Sequence, residues 1–195
     1  MKLMKPFPFV LGLTLVLMAS AMAGQTPAQS AEQEVCVLET NLGTMVFRFF
    51  ETAAPITSQH FKKLVKEGFY DGKTFYRVIA GHVIQAGDAG TSERPTVKGE
   101  FGAHPHVTGI VGLARGSDPD SGSTEFYICL APRPHLDGEY AVFGQLIEGL
   151  DVLEKIGNVE VNEEYLTEAR IPYHRPKEPV SIRRAFLEKR PVTQP

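Results

Sequence analysis

Cysteine is scarce in this chain, with two among 195 residues, Cys36 and Cys129. They form no C-x-x-C pair, which argues against a cysteine-held metal or a dithiol redox centre. No cysteine directly follows the apolar N-terminal segment, which argues against a lipidated N-terminus. Charge of one sign is lacking too. A net charge of −3 provides no basic field to draw in nucleic acid. The apolar run at residues 9–18 is too short to span a bilayer comfortably. There are no internal repeats and no linker that would separate two domains. The length therefore reads as one domain with a substantial core. Its composition, 43% hydrophobic and 22% charged, is ordinary for a soluble globular protein.

What is present begins with a targeting pattern. Lys2 and Lys5 precede the apolar run, and Ala21-Met22-Ala23 is an A-x-A cleavage signal followed by Gly24. The expectation is a signal peptide over residues 1–23, a polar linker over 24–33, a folded domain over 34–188 and a tail over 189–195. The protein is then periplasmic or secreted, with no stable membrane association after cleavage. That location permits a disulfide. Yet each cysteine sits in an apolar, strand-like run, as a small buried hydrophobe would.

Along the domain, residues 35–39 and 44–50 are apolar runs joined by Thr40-Asn41-Leu42-Gly43, which reads as a hairpin. Pro55 opens a helix. Its apolar stripe is Phe61, Leu64, Val65 and Phe69. Gly68 marks its end, and Lys62, Lys63 and Lys66 form its solvated face. Residues 74–79 and 83–85 are neighbouring strands joined at Ala80-Gly81. Further strands are expected at 109–113, 125–130, 140–147 and 179–187, and a second helix at 151–156, capped by Gly157. Residues 87–106 and 158–177 read as long irregular excursions. About eight short strands, two helices and no βαβ rhythm predict a mostly β fold. The economical architecture is a closed or nearly closed β-barrel with a helix at each end, and of these the eight-stranded antiparallel closed β-barrel is expected.

The stretch Phe75-Tyr76-Arg77-Val78-Ile79 carries the chemistry. A period of two places Phe75, Arg77 and Ile79 on one face and Tyr76 and Val78 on the other. A permanently charged arginine in so apolar a strand needs a partner or a ligand, unless its stem carries it out to solvent. With Gln85-Ala86-Gly87-Asp88, the stretch resembles the cyclophilin F-x-R-[VI]-I…Q-G-G-D signature. Two further segments agree in order and spacing. Gly112-Leu113-Ala114-Arg115 leading to Ser123-Thr124-Glu125-Phe126-Tyr127-Ile128 is similar to the family's A-R/N…S-Q-F-F-I strand pair. Leu136-Asp137-Gly138-Glu139-Tyr140-Ala141-Val142-Phe143-Gly144 is similar to its L-D-G-x-x-x-V-F-G segment. The type that this chain most resembles is the small exported bacterial cyclophilin.

The resemblance implies peptidyl-prolyl cis/trans isomerisation of proline-containing polypeptides, assisting the folding of exported proteins. It implies no metal and no cofactor, and a monomer. Arg77 is then the catalytic donor. Val83, Tyr127 and Leu136 line the pocket for the proline ring, with His82 beside them. Gln85 bonds the substrate backbone and orients Arg77. Ala114, Arg115 and Gly116 form the edge along which the peptide lies. Several positions depart from the family pattern. His82 stands for Phe, Ala86 for the first Gly of a pair and Glu125 for Gln. His135 stands for the Trp of many eukaryotic members, and Tyr140 for His. Glu125 adds a carboxylate that can pair with Arg77 or Arg115. His82 and Glu125 also leave open an alternative, a catalytically weak proline-peptide-binding or chaperone module on the same fold. His104-Pro105-His106 is an H-x-H pair, but no carboxylate or cysteine stands at ligand spacing. It reads as two solvent-exposed loop histidines and not as a metal site.

Overall fold

The computed structural model describes residues 31–90, 93–166 and 170–192, together with Met1. The expected signal peptide and most of the linker lie outside the described residues. Among those residues, no helix is long and apolar enough to cross a membrane.

The chain opens with a hairpin, β1 (Ala31–Thr40) and β2 (Gly43–Phe49), followed by α1 (Pro55–Lys66). A second hairpin, β3 (Phe75–Ile79) and β4 (Val83–Ala86), turns at Gly81, whose φ is +64°. After an irregular excursion come β5 (Ile110–Leu113), β6 (Phe126–Cys129), a 3-10 turn at Pro134–Leu136, β7 (Val142–Glu148) and α2 (Leu150–Gly157). The second excursion carries β8 (Val161–Asn162), β9 (Tyr165–Leu166), β10 (Ile171–Pro172) and β11 (Arg175–Pro176), before β12 (Ile182–Val192).

Eight of these strands form one antiparallel sheet in the order β12-β1-β2-β7-β5-β6-β4-β3. It is an open, strongly curled half-barrel, which corrects the expectation of a closed barrel. No ladder joins β3 to β12. The two ends run together only briefly, at a single Thr74–Ser181 bridge. Phe75 N–H donates to the Val180 carbonyl at 2.8 Å and Ile182 N–H to the Lys73 carbonyl at 2.8 Å. At the other edge, β1 and β12 pair from Ala31↔Val192 inward. The paired chain thus extends beyond the limits of 34 and 188 expected for the domain.

The core fills the hollow of the curl. Phe47, Phe61, Tyr70, Phe75, Phe126 and Phe143 are fully buried there. Phe61 stacks on Tyr70 at 4.6 Å and meets Phe126 edge-on at 5.2 Å. From the helices come Phe61, Leu64 and Val65 of α1 and Val152, Leu153 and Ile156 of α2. Helix α1 has no side-chain cap at Ala54. Its free N–H groups instead bond the Glu100 carboxylate, Ile56 at 3.1 Å and Thr57 at 2.8 Å. A carboxylate at a helix N-terminus is favoured by the helix dipole, and here the first excursion supplies it.

Three further expectations are corrected. Lys62 is not solvated. It bridges Glu34 at 2.9 Å and Glu51 at 2.6 Å and lies over the Phe49 ring. The second excursion is not irregular throughout, because β8 pairs β11 and β9 pairs β10. The alternation expected in β3 fails at a bulge between Phe75 and Arg77. Phe75 and Val78 are both buried, while Tyr76 and Arg77 are both half-exposed. One extra residue in the strand re-aims its neighbours, so both polar side chains leave the core. Both cysteines are buried and unbridged, and burial pushes their thiols up, Cys129 to about 12.

Candidate active site

The pairing of four strands places four residues in one row across the sheet. Arg77 of β3 pairs Gln85 of β4, Gln85 pairs Tyr127 of β6, and Tyr127 pairs Gly112 of β5. Directly paired residues project from the same face. Gly112 ends the row because it has no side chain. A Cβ there would stand 2.3 Å from Cζ of Tyr127. The tyrosine ring therefore lies down over the glycine backbone and becomes a floor.

Above that floor is a cavity of about 200 Å³. Arg77, Gln85, His82 and Val83 line one side, from the β3–β4 hairpin. Ala114, Arg115, Leu136 and Tyr140 line the other, and Tyr127 lies between. The Tyr140 ring meets Tyr127 edge-on at 5.9 Å. Arg115 lies over Tyr140, at 4.9 Å from the ring centre, and donates from Nε to the Glu139 carbonyl at 2.9 Å. A second hollow of about 390 Å³ adjoins the first along Gln85, Ala114 and Arg115, and it includes Gly116 and Glu125. His135 does not line the cavity. It is exposed, with its ring edge-on to His82 at 5.7 Å. Gly116 is bonded internally, its N–H to Ser121 Oγ and its carbonyl to Arg115 Nη1.

Arg77 is held on two sides. Its Nε donates to the Pro172 carbonyl at 3.0 Å and its Nη1 to Gln85 Oε1 at 2.8 Å. Among the described residues nothing takes Nη2. Burial lowers its pKa from the ordinary arginine value, with no consequence for its charge near neutrality. The orientation of Gln85 is fixed from behind. Its Nε2 donates to Glu125 Oε2 at 2.7 Å and to the Tyr76 hydroxyl at 2.6 Å, and the Tyr76 hydroxyl itself donates to Glu125. A carboxylate only accepts, so the amide nitrogen must face Glu125 and the amide oxygen must face Arg77. Glu125 thus bonds neither Arg77 nor Arg115, contrary to the expected ion pair. Burial, and then the Glu125 carboxylate, push the Tyr76 phenol up, so it stays protonated as the donor.

His106 corrects the reading of the H-x-H pair. It is 2% exposed. Its Nδ1 lies 2.8 Å from Asp137 Oδ1 and its Nε2 lies 2.8 Å from the Tyr127 hydroxyl. His104 is half-buried and stacks on Phe50 at 3.8 Å. No cluster of metal-ligating side chains occurs among the described residues. The chain Asp137–His106–Tyr127 braces the cavity floor from below. Tyr127→Phe removes a hydroxyl and leaves buried Nε2 of His106 unpaired. The expected loss of stability is about 1–2 kcal/mol, with little change in turnover, since the ring facing the cavity is retained. Chemical denaturation and activity assays of the variant check this.

His82 stands at the cavity mouth with Nδ1 buried and unpartnered among the described residues. Burial lowers its pKa below the usual 6.5, and Arg133, Arg77 and His135 act in the same direction. The neutral ring is therefore the form present at pH 7. Below about pH 6.5 protonation adds a cation beside Arg77 and works against the folded state. Catalytic efficiency and stability should both fall as pH drops through mild acid. In His82→Phe the fall in catalytic efficiency should be absent and the fall in stability smaller, since burial lowers the pKa of His60 and His104 as well. Superimposable pH profiles for the two proteins would make His82 a bystander.

Sequence reasoning missed Tyr76, His106, Asp137, Pro172 and Tyr173 as parts of this neighbourhood. Asp137 falls inside the Leu136-Asp137-Gly138 segment. The bulge in β3 hid Tyr76, and the other three had no local signal.

Comparison with known proteins gives one result. The family model described as cyclophilin type peptidyl-prolyl cis-trans isomerase/CLD matches residues 35–186. A peptidyl-prolyl cis-trans isomerase of Schizosaccharomyces pombe is 36% identical over 157 residues, covering 76% of this chain and 95% of its own length. One from Acinetobacter baylyi is 36% identical over 156 residues, covering 74% and 80%. The solved cyclophilin type isomerase of Cryptosporidium parvum, determined in the presence of the dipeptide Ala-Pro, superposes with a TM-score of 0.68. It is 25% identical, covering 79% of this chain and 98% of its own.

Proposed function

This chain belongs to the cyclophilin-type peptidyl-prolyl cis-trans isomerases, and we propose that Arg77 performs the reaction in the cavity above Tyr127. Rotation about a peptide bond must break resonance, at a barrier of roughly 18–20 kcal/mol. For X-Pro the two ends are close in energy, yet exchange takes tens to hundreds of seconds. In the twisted transition state the proline nitrogen loses conjugation and gains a lone pair. A donor aimed at that lone pair binds the transition state better than either planar state, and that difference is catalysis. The observation that carries the assignment is the clamping of Arg77 on Nε and Nη1, with Nη2 left for a substrate.

The other residues hold the chain. Val83, Leu136, Tyr127 and Tyr140 surround the proline ring. Neither the Ala114 carbonyl nor the Arg115 N–H is engaged by a described residue, and these two groups pair with the peptide backbone. Glu125 and Tyr76 act through Gln85 as positioning residues. No step calls for a metal or cofactor. Turnover of a short Ala-Pro peptide in a protease-coupled assay, abolished by loss of the Arg77 side chain, tests this assignment.

The biological setting is part of the same proposal. The positive, apolar and A-x-A segments at the N-terminus support export by cleavage after Ala23, and the isomerase activity in that setting supports a role in folding exported proteins. The type is then the small exported bacterial one. The mature chain should begin at Gly24 in the soluble, extracytoplasmic fraction. Terminal sequencing that finds Met1 on membrane-bound protein would refute it.

A further inference from the structure

A third hollow meets the site at Arg77 and Gln85. It measures about 340 Å³ and shares those two residues with the proline cavity, but none of that cavity's other walls. Its sides are Tyr76, Tyr173 and Ile171. The two tyrosine rings are tilted, 5.7 Å apart, and Ile171 is 47% exposed.

Ile171 and Tyr173 come from the second excursion, and that excursion is tied to the catalytic strand. The Pro172 carbonyl accepts from Arg77 Nε at 3.0 Å, and Val78 N–H donates to the His174 carbonyl at 3.0 Å. Tyr173 N–H is bonded within the excursion, to the Glu164 carbonyl at 2.8 Å. The wall is therefore fixed in place relative to Arg77 before any substrate arrives.

We propose that this hollow is a subsite for an apolar side chain of the substrate, carried near the proline on the same polypeptide. The inference rests on the assignment of Arg77 above. Its occupant follows from continuity and from chemistry. A chain whose proline fills the cavity, whose X-Pro bond lies at Arg77 and which pairs on one side along Ala114 and Arg115 continues on its other side past Arg77 and Gln85, where the hollow opens. The uncharged polar groups at its floor are already engaged. The Tyr76 hydroxyl, the Gln85 amide and Glu125 Oε2 are bonded to one another. Beside the Arg77 guanidinium, which the X-Pro bond takes, what remains is chiefly the surface of two rings and one isoleucine, with the Asp88 carboxylate exposed at the rim against an acidic occupant. Apolar surface beside a bound chain gains by being covered.

The test uses pentapeptides with one central proline and alanine at the four flanking positions. Each alanine is replaced in turn by leucine, and by asparagine, which is similar in size but polar. Isomerisation is followed by NMR exchange, with no protease. At one flanking position leucine should raise kcat/KM on the order of fivefold over alanine, the gain from covering part of one such side chain. Asparagine should give no gain. In Ile171→Ser and in Tyr173→Ala the leucine-to-alanine ratio should fall to about one. Ile171 is exposed, so its replacement does not endanger the fold. A wild-type protein with no leucine preference at any position overturns the subsite, and so does a preference that survives both substitutions. Failure to turn over the all-alanine peptide would instead count against the assignment of Arg77.

Discussion

Arg77→Ala is expected to lower kcat/KM by about a hundred- to a thousandfold, the loss typical of removing one preorganised transition-state donor. The fold should survive. Arg77 lies on the outer row of the sheet, away from the aromatic core, and its two acceptors, Gln85 Oε1 and the Pro172 carbonyl, can turn to water. Arg77→Lys separates charge from geometry. A lysine keeps the charge but lacks the planar fork. It cannot bond Gln85 and Pro172 and still present a third donor at a fixed angle, so most of the loss should persist. The check is a coupled assay on both variants beside their circular dichroism. Near-normal turnover in Arg77→Ala would place the donor elsewhere. An unfolded Arg77→Ala protein would make the residue structural.

The sequence carries this much of the site because its central pair is local. Arg77 and Gln85 stand eight residues apart on a hairpin whose turn is marked by Gly81, and a hairpin register brings them side by side. The buffer behind them is not local. Tyr76 reaches Glu125 and Gln85 only because a bulge breaks the alternation, and no pattern of period two contains a bulge. The burial of His106 is hidden for a similar reason. Its partners Tyr127 and Asp137 lie 21 and 31 residues away, and an H-x-H pair beside a proline looks like exposed loop. Lys62 looked solvated on its helical face, yet that face meets Glu34 of the first hairpin. The second excursion shows no period because strands of two residues cannot set one. Its positions are dictated by Arg77 and by the ladder partners it finds, not by its own composition. Whether the sheet's ends join depends on a single bridge, which strand counting does not detect.

Gly87→Ala is expected to harm stability severely for so small a change, and it shows which member of the Ala86-Gly87 pair matters. The resemblance marks Ala86 as the departure, yet Ala86 pairs Phe75 on one side and Phe126 on the other, in an ordinary strand conformation that needs no glycine. Gly87 has φ of +93°, where a side chain is strained. A Cβ there would stand 2.3 Å from the Thr124 carbonyl oxygen and 3.1 Å from its carbon. Both are backbone atoms that cannot swing aside as a side chain would. The carbonyl is also the acceptor for the buried Tyr70 hydroxyl, at 3.0 Å, so moving it strands a polar group in the core. Strain, overpacking and the lost hydrogen bond together come to about 3–5 kcal/mol. For a domain of this size that is a drop in Tm of about 10 °C. The displacement does not stop at Thr124. Glu125 follows it in the chain and holds Gln85, and Gln85 aims Arg77. Turnover measured well below the new Tm should therefore fall as well, mainly in kcat, because the donor is misdirected while the proline cavity keeps its walls. A Gly87→Ala protein that melts within about 2 °C of wild type, a shift worth no more than 1 kcal/mol, would mean that the β4–β6 junction yields more easily than its geometry implies.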